Sequence, residues 1–287
     1  MNKPQWITFS AGALLVVLLF VFGKTTDPGQ LTKSTVDAHA GHDHAPGEMH
    51  TIPTDTLLTI AKKQLTPAQQ FRLAGIENSI ARNEGSEQQL HVYHQLANFW
   101  RDSANMFIPY AWYTAEAARL ENSEKSLTFA AHLLLGRLQT DGEPAITAWE
   151  ATQAKDLFER ALKLNPGNDS SKVGLGACLI FGGISDRPME GLAHIQEVVK
   201  RDSTNVYALL TMARGGVLSG QMDKAIGRLE TVHRVAPDNL EAVFLMAEIY
   251  ERTNKKAEAV QWYNKALPLI SNPRMKEEVT KRINSLK

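Results

Sequence analysis

The apolar positions of this chain fall into three regimes. Residues 6–22 form an almost unbroken apolar run, with residues 14–21 as its centre. Residues 25–53 then lose nearly every large apolar side chain. From Asp55 onward apolar residues recur at helical spacing, i, i+3, i+4 and i+7, to the end of the chain.

The helical regime divides at its turn residues. Leu57, Leu58, Ile60 and Ala61 predict a short helix. Thr66-Pro67-Ala68-Gln69 predicts the start of another. Thr66 caps it, Pro67 is preset for the first turn, and Gln69 reaches back to the cap. That helix either closes the N-terminal end of the helical stack or acts as a spacer. Ser86-Glu87-Gln88-Gln89 reads as a second capping box, followed by Leu90, Tyr93, Leu96, Ala97 and Trp100 on a helical stripe. Helices are expected over 107–120, with Pro109 in the first turn, then over 126–138 and 149–164, with 140–144 breaking the last two. A further pair spans 170–181 and 189–200. A three-residue insertion falls in the glycine-rich turn at 182–188.

The next two stretches, 206–239 and 240–273, are each 34 residues long and match position by position. Ala208 falls on Ala242, Met212 on Met246, Ala213 on Ala247, Ala225 on Ala259 and Leu229 on Tyr263. The alanines are expected where two helices cross closely, and the larger partners fill the space around that crossing. Asn239 is placed to cap the following helix, and Gly220 and Asn254 to end helices where the chain reverses. This pattern resembles the tetratricopeptide (TPR) repeat, with alanines at the eighth and twentieth positions and Pro237 near the end of the unit. The resemblance implies an all-α solenoid of about five helix pairs. Gly176 and Gly191 take the two small positions of the preceding pair. Residues 272–287 form a polar-backed terminal helix, as a solenoid end requires.

The chain has 287 residues, with 31 Lys+Arg against 31 Asp+Glu. That balance argues against a general nucleic-acid binder, which carries a basic excess. The single cysteine, Cys178, rules out an intramolecular disulfide and reads as a small buried residue. No nucleophile–base motif, phosphate loop or His-Glu-x-x-His occurs, so the chain reads as a non-enzyme with no cofactor. Gly174-Leu175-Gly176 lies within a repeat helix and reads as close packing.

The run at 6–22, flanked by Lys3 and Lys24, is long enough for one transmembrane helix. Phe22-Gly23-Lys24 fits a cleavage site poorly, so residues 1–24 read as an uncleaved signal anchor. No cysteine lies nearby to carry a lipid. The short N-terminal tail places the N-terminus in the cytoplasm and the bulk of the chain outside, in the periplasm of a bacterium. Residues 25–53 read as a disordered tether, too polar to offset its own ordering entropy. It carries His39, His42, His44 and His50. Imidazoles suit copper or zinc, but their spacing matches no closed zinc site. A solvated tether and a weak metal binder are the two readings. The expected layout is an anchor at 1–24, tether at 25–53, N-terminal helices at 54–85, repeats at 86–271 and a capping helix at 272–287.

In TPR proteins the first helix of each repeat lines a concave groove. Carried over position by position, the resemblance implies a peptide groove containing Phe181, Tyr207, Leu210, Arg214, Phe244, Glu248 and Arg252, with His91, His94, Asn98 and Arg101 at its upstream end. The apolar members would take side chains of a bound protein or peptide, and Arg214 a carboxylate. The expected function is a membrane-anchored scaffold that assembles or matures an envelope complex. Narrower alternatives are a cytochrome c maturation accessory that receives unfolded apocytochrome, and a metal-handling protein that uses the histidine tether.

Overall fold

The computed structural model describes residues 52–80, 85–138 and 142–287. The apolar run at 6–22 and the four tether histidines lie outside those residues. Contacts divide the chain into Met1–Ala45 and Pro46–Lys287, and the described residues belong to the second unit. Among the described residues no helix is long and apolar enough to cross a membrane.

The described part is all α. Its helices are α1 (Thr54–Lys63), α2 (Pro67–Ile80), α3 (Ser86–Asn98), α4 (Phe107–Glu121), α5 (Glu124–Leu135), α6 (Pro144–Leu164), α7 (Asp169–Phe181), α8 (Pro188–Arg201), α9 (Val206–Leu218), α10 (Met222–Val235), α11 (Leu240–Arg252), α12 (Lys256–Ala266) and α13 (Pro273–Leu286). A π-helical turn, Phe99–Ser103, extends α3. From α3 to α12 the helices pair in sequence. The first of each pair (α3, α5, α7, α9, α11) is termed A and the second (α4, α6, α8, α10, α12) B. The core is a succession of local clusters, each shared by neighbouring helices. One joins Val173, Ile195, Val198 and Met212 of α7–α9. The next joins Leu209, Leu229, Met246 and Ile249 of α9–α11. That is how a repeat stack buries apolar surface without one central core.

The matched positions occupy this core as their size demands. Ala208, Ala213, Ala225, Ala242, Ala247 and Ala259 are all buried, as are Met212, Leu229 and Met246. Gly176 and Gly191 face each other at the α7–α8 crossing. A Cβ on either would come within 2.5 Å of the other's carbonyl oxygen, so only glycine allows these backbones to meet. Gly220 (φ 73°) and Asn254 (φ 59°) take the left-handed conformation at the ends of α9 and α11.

Asparagine side chains set the repeat register. Asn168, Asn205 and Asn239 cap α7, α9 and α11 by accepting from the N–H three residues on, at 2.8, 3.0 and 2.9 Å. Asn272 caps α13 by accepting from the N–H groups two and three residues on, Arg274 at 2.9 Å and Met275 at 3.4 Å. The predicted Thr66 box forms reciprocally. The Gln69 N–H donates to Thr66 Oγ1 at 3.3 Å, and the Thr66 N–H to Gln69 Oε1 at 3.0 Å.

Other boundaries differ from the sequence reading. Ser86 is not a cap, because Gly85 holds that position and no side chain caps α3. α5 begins at Glu124, two residues earlier than expected, because the Ser123 hydroxyl accepts from the Ser126 N–H at 3.1 Å. α6 begins at Pro144. That proline opens the helix instead of breaking the chain, since its fixed φ suits a first turn. α2 packs on α3, while α1 folds back over the B helices. Leu57 enters the cluster around Ala111, Leu127 and Trp149, and Thr54 accepts a hydrogen bond from the Trp149 indole at 2.9 Å. On the same helices Arg119 ties α4 to α6, donating to Asp156 at 2.8 Å and Gln153 at 2.8 Å beside the Trp112 ring.

Candidate functional site on the A-helix face

α5 presents one stripe at intervals of four, three and four: Lys125, Phe129, His132 and Gly136. Two pockets adjoin that stripe. The upstream pocket, about 430 Å³, holds Lys125 and Phe129 of α5, His94 and Asn98 of α3, Arg101, and Tyr110, Thr114 and Ala118 of α4. The downstream pocket, about 350 Å³, holds His132 and Leu135 of α5, Gly136 and Leu138 of the turn after it, Ala177 and Phe181 of α7, and Tyr207, Thr211 and Arg214 of α9. Three successive A helices therefore build the downstream site.

His132 is the hinge between neighbours. Its ring meets Phe158 edge-on at 5.0 Å and Tyr207 at 5.6 Å, and its Nε2 lies 2.7 Å from Ser170 Oγ. Burial among these groups lowers its pKa from the ordinary 6.5. The Tyr207 hydroxyl is buried with no hydrogen-bond partner among the described residues, and burial raises the phenol's pKa. Thr211 donates to the Tyr207 carbonyl at 2.8 Å. Arg214 is ion-paired with Glu241 at 2.5 Å.

The seven residues expected from the groove pattern separate into three places. Phe181, Tyr207 and Arg214 come together in the downstream pocket. Leu210 does not line it, being 6% exposed in the core cluster with Val217, Leu229 and Met246. The reason is helical phase: the pocket stripe of α9 runs 207, 211, 214, and Leu210 and Val217 turn together onto the flank that meets α10 and α11. Phe244 sits with the C-terminal core, its ring 6.3 Å from that of Tyr263. Glu248 and Arg252 line a separate charged pocket with Glu251, Tyr263 and Arg282. There Arg252 pairs with Glu248 at 2.5 Å, and Glu251 takes both Arg282 and the Tyr263 hydroxyl.

The contribution of α5 was missed from the sequence, and the reason is specific. With the cap at Ser123 the repeat starts at Glu124, and the same groove positions then fall on Lys125, Thr128, His132, Leu135 and Gly136. A start two residues later puts every one of them out of phase. Upstream, His94, Asn98 and Arg101 line the first pocket as placed, while His91 turns to Gln95 at 3.0 Å.

A tetratricopeptide-repeat family model matches residues 217–277, from the end of α9 into α13. Those residues are tetratricopeptide repeat. Among solved structures the chain is similar to YrrB, described as a TPR protein with an unusual peptide-binding site. Identity is 17% over 72% of this chain and 97% of that one, with a TM-score of 0.41. It is also similar to MamA, at 16% identity over 61% of this chain and 94% of that one, TM-score 0.42. For MamA from residue 41 to its end, of Desulfovibrio magneticus RS-1, identity is 18% over 63% of this chain and 94% of that one, TM-score 0.43. No curated protein matches the chain by sequence.

Proposed function

We propose that this protein is a scaffold that binds a segment of another polypeptide along its A-helix face, across α5. The observation that carries this is the pair of adjoining pockets. Both are walled by aromatic and small side chains, and both open on one continuous stripe from Lys125 to Gly136. An extended or helical segment crossing it finds apolar surface in Phe129, Phe181 and Leu135. No part of this requires bond-making chemistry, and the reading is a non-catalytic one.

The sequence supports membrane attachment as part of the proposal. The apolar run at 6–22 has the length and flanking lysines of a signal anchor, with the repeats on the periplasmic side of a bacterial inner membrane. The described fold begins on the B-helix side, where Thr54 meets Trp149. On this reading the partner belongs to an envelope complex, and an unfolded apocytochrome is one candidate cargo.

Photocrosslinking in intact cells tests the proposal. A photoreactive residue placed at Phe129 or at Phe181, one in each pocket, is expected to capture the same partner. One placed at Lys281, on the far helix, is expected to capture none. Equal capture from all three positions, or none from the first two, would remove the groove reading.

A further inference from the structure

The two ends of the helical stack are finished differently. A solenoid's terminal helix needs a polar outer face, because no further repeat covers it. α13 has one: Arg274, Lys276, Glu277, Glu278 and Lys281 all stand exposed on it. α2, the first helix on the A side, packs one face on α3 and is tied to α1 along one flank by the Lys62–Glu77 ion pair at 2.7 Å. Its outward face carries Pro67, Ala68, Phe71, Gly75 and Asn78, all exposed and none charged. Phe71 is 84% exposed, more than any other large apolar side chain among the described residues.

The face is also shaped for a close neighbour. Residues 68, 71, 75 and 78 fall on one line of the helix, so Phe71 projects from a strip of small side chains. Glycine inside a helix lowers its stability relative to alanine, and its use there is to let something approach the backbone closely. No group described in this chain does so at Gly75, where a Cβ meets no atom within 4 Å. Gly227 is equally open, but Asp223, Lys224 and Glu230 surround it with charge that keeps another helix off. At Gly75 the uncharged strip leaves room for a large side chain that comes from outside the fold.

We infer that the outward face of α2 is a self-association surface, which packs on the same face of a second copy with each Phe71 over the other's Gly75. One strip offers both the projecting ring and the space that takes it, as a twofold contact between identical surfaces requires. The attachment of the chain favours the same partner. Residues 25–51 join this end of the fold to the apolar run at 6–22, with a reach of at most about 90 Å. Copies held in one membrane therefore present α2 to each other in one thin layer. A contact of single helices, weak in dilute solution, is populated there. The bilayer itself is a poorer cover. Alanine and glycine gain little from it, and Arg72 is the only basic residue of α2, whereas an interfacial helix pairs a broad apolar face with several bases. The inference rests on the membrane attachment in the proposed function and does not involve the groove.

The test uses the full chain in liposomes of phosphatidylethanolamine and phosphatidylglycerol, collected by flotation. Cys178 is buried, so an introduced cysteine is the only thiol open to a short bismaleimide. Gly75→Cys is expected to give about tenfold more crosslinked dimer than Lys281→Cys, which reports chance collisions. Adding Phe71→Glu to the Gly75→Cys chain is expected to bring the dimer down to the Lys281→Cys level. Phe71 is exposed, so the thermal melt should not move. Equal yields from Gly75→Cys and Lys281→Cys, or a Gly75→Cys yield that survives Phe71→Glu, overturn the inference. So does a Gly75→Cys chain that links more strongly to a Phe129→Cys chain than to itself, because α2 then enters another copy's groove. Quenching of a bimane probe on Gly75→Cys by spin-labelled lipid overturns it in favour of the bilayer. In each of these cases the chain floats, and the failure falls on the α2 surface alone. A chain that does not float removes the membrane attachment, and this inference with it.

Discussion

The indole N–H of Trp149 donates to the hydroxyl of Thr54 across 2.9 Å, joining residues 95 apart in the chain. Trp149 is 2% exposed and its ring lies 6.4 Å from that of Trp112, so the bond is made in a part-buried, aromatic setting. It fixes α1 against the B helices together with Leu57. Thr54→Val keeps the side-chain shape and removes the acceptor. The expected cost is about 1 kcal/mol, appearing as faster hydrogen exchange in α1 than in α9. Unchanged protection of α1 would show that Leu57 alone holds it.

The α7–α8 crossing depends on two facing glycines. Gly176→Ala places a methyl against the Gly191 carbonyl and the Ile195 side chain, and the helices must part. A loss of about 1–3 kcal/mol in urea unfolding is expected. Gly227 provides the contrast. It lies exposed in α10, and a Cβ there meets nothing within 4 Å. Gly227→Ala should stabilise the fold by about 0.4–1 kcal/mol through the unfolded chain's lost freedom.

His132 makes the fold acid-sensitive. Burial lowers its folded pKa below the ordinary 6.5, so the unfolded chain binds the proton more readily. Its contribution to stability is complete above that value and is lost as pH falls through it toward the lower, folded value. His132→Phe should flatten this part of the stability–pH curve. The groups facing the ring, Phe158, Tyr207 and Ser170, carry no charge to complicate the comparison.

Cys178 is fully buried in α7, and burial pushes its thiol up to about 12. The thiolate is the reactive form, so the native chain should resist alkylation at about pH 8 and react on unfolding. Rapid labelling of the folded chain would mean that α7 opens locally.

The repeat architecture was legible because its causes are local. A small residue at a helix crossing, an asparagine before a helix and a glycine after one act within a few residues, and the 34-residue match of Ala213 with Ala247 repeats them in phase. The groove was only partly legible, because its register hangs on each cap. Asn239 announces its helix plainly, whereas Ser123 competes with Ser126 three residues later, and the choice moves α5's whole stripe. Leu210 shows the same limit from the other side: a position rule placed it in the groove, and the packing of α10 and α11 claimed it for the core. The course of α1 was not legible at all. Its stripe of Leu57 and Ala61 shows that one face is buried, but the surface that buries it includes Trp149, which the chain reaches only after four intervening helices. Periodicity records which face of a helix avoids water; the partner that covers it is settled by contacts far apart in sequence.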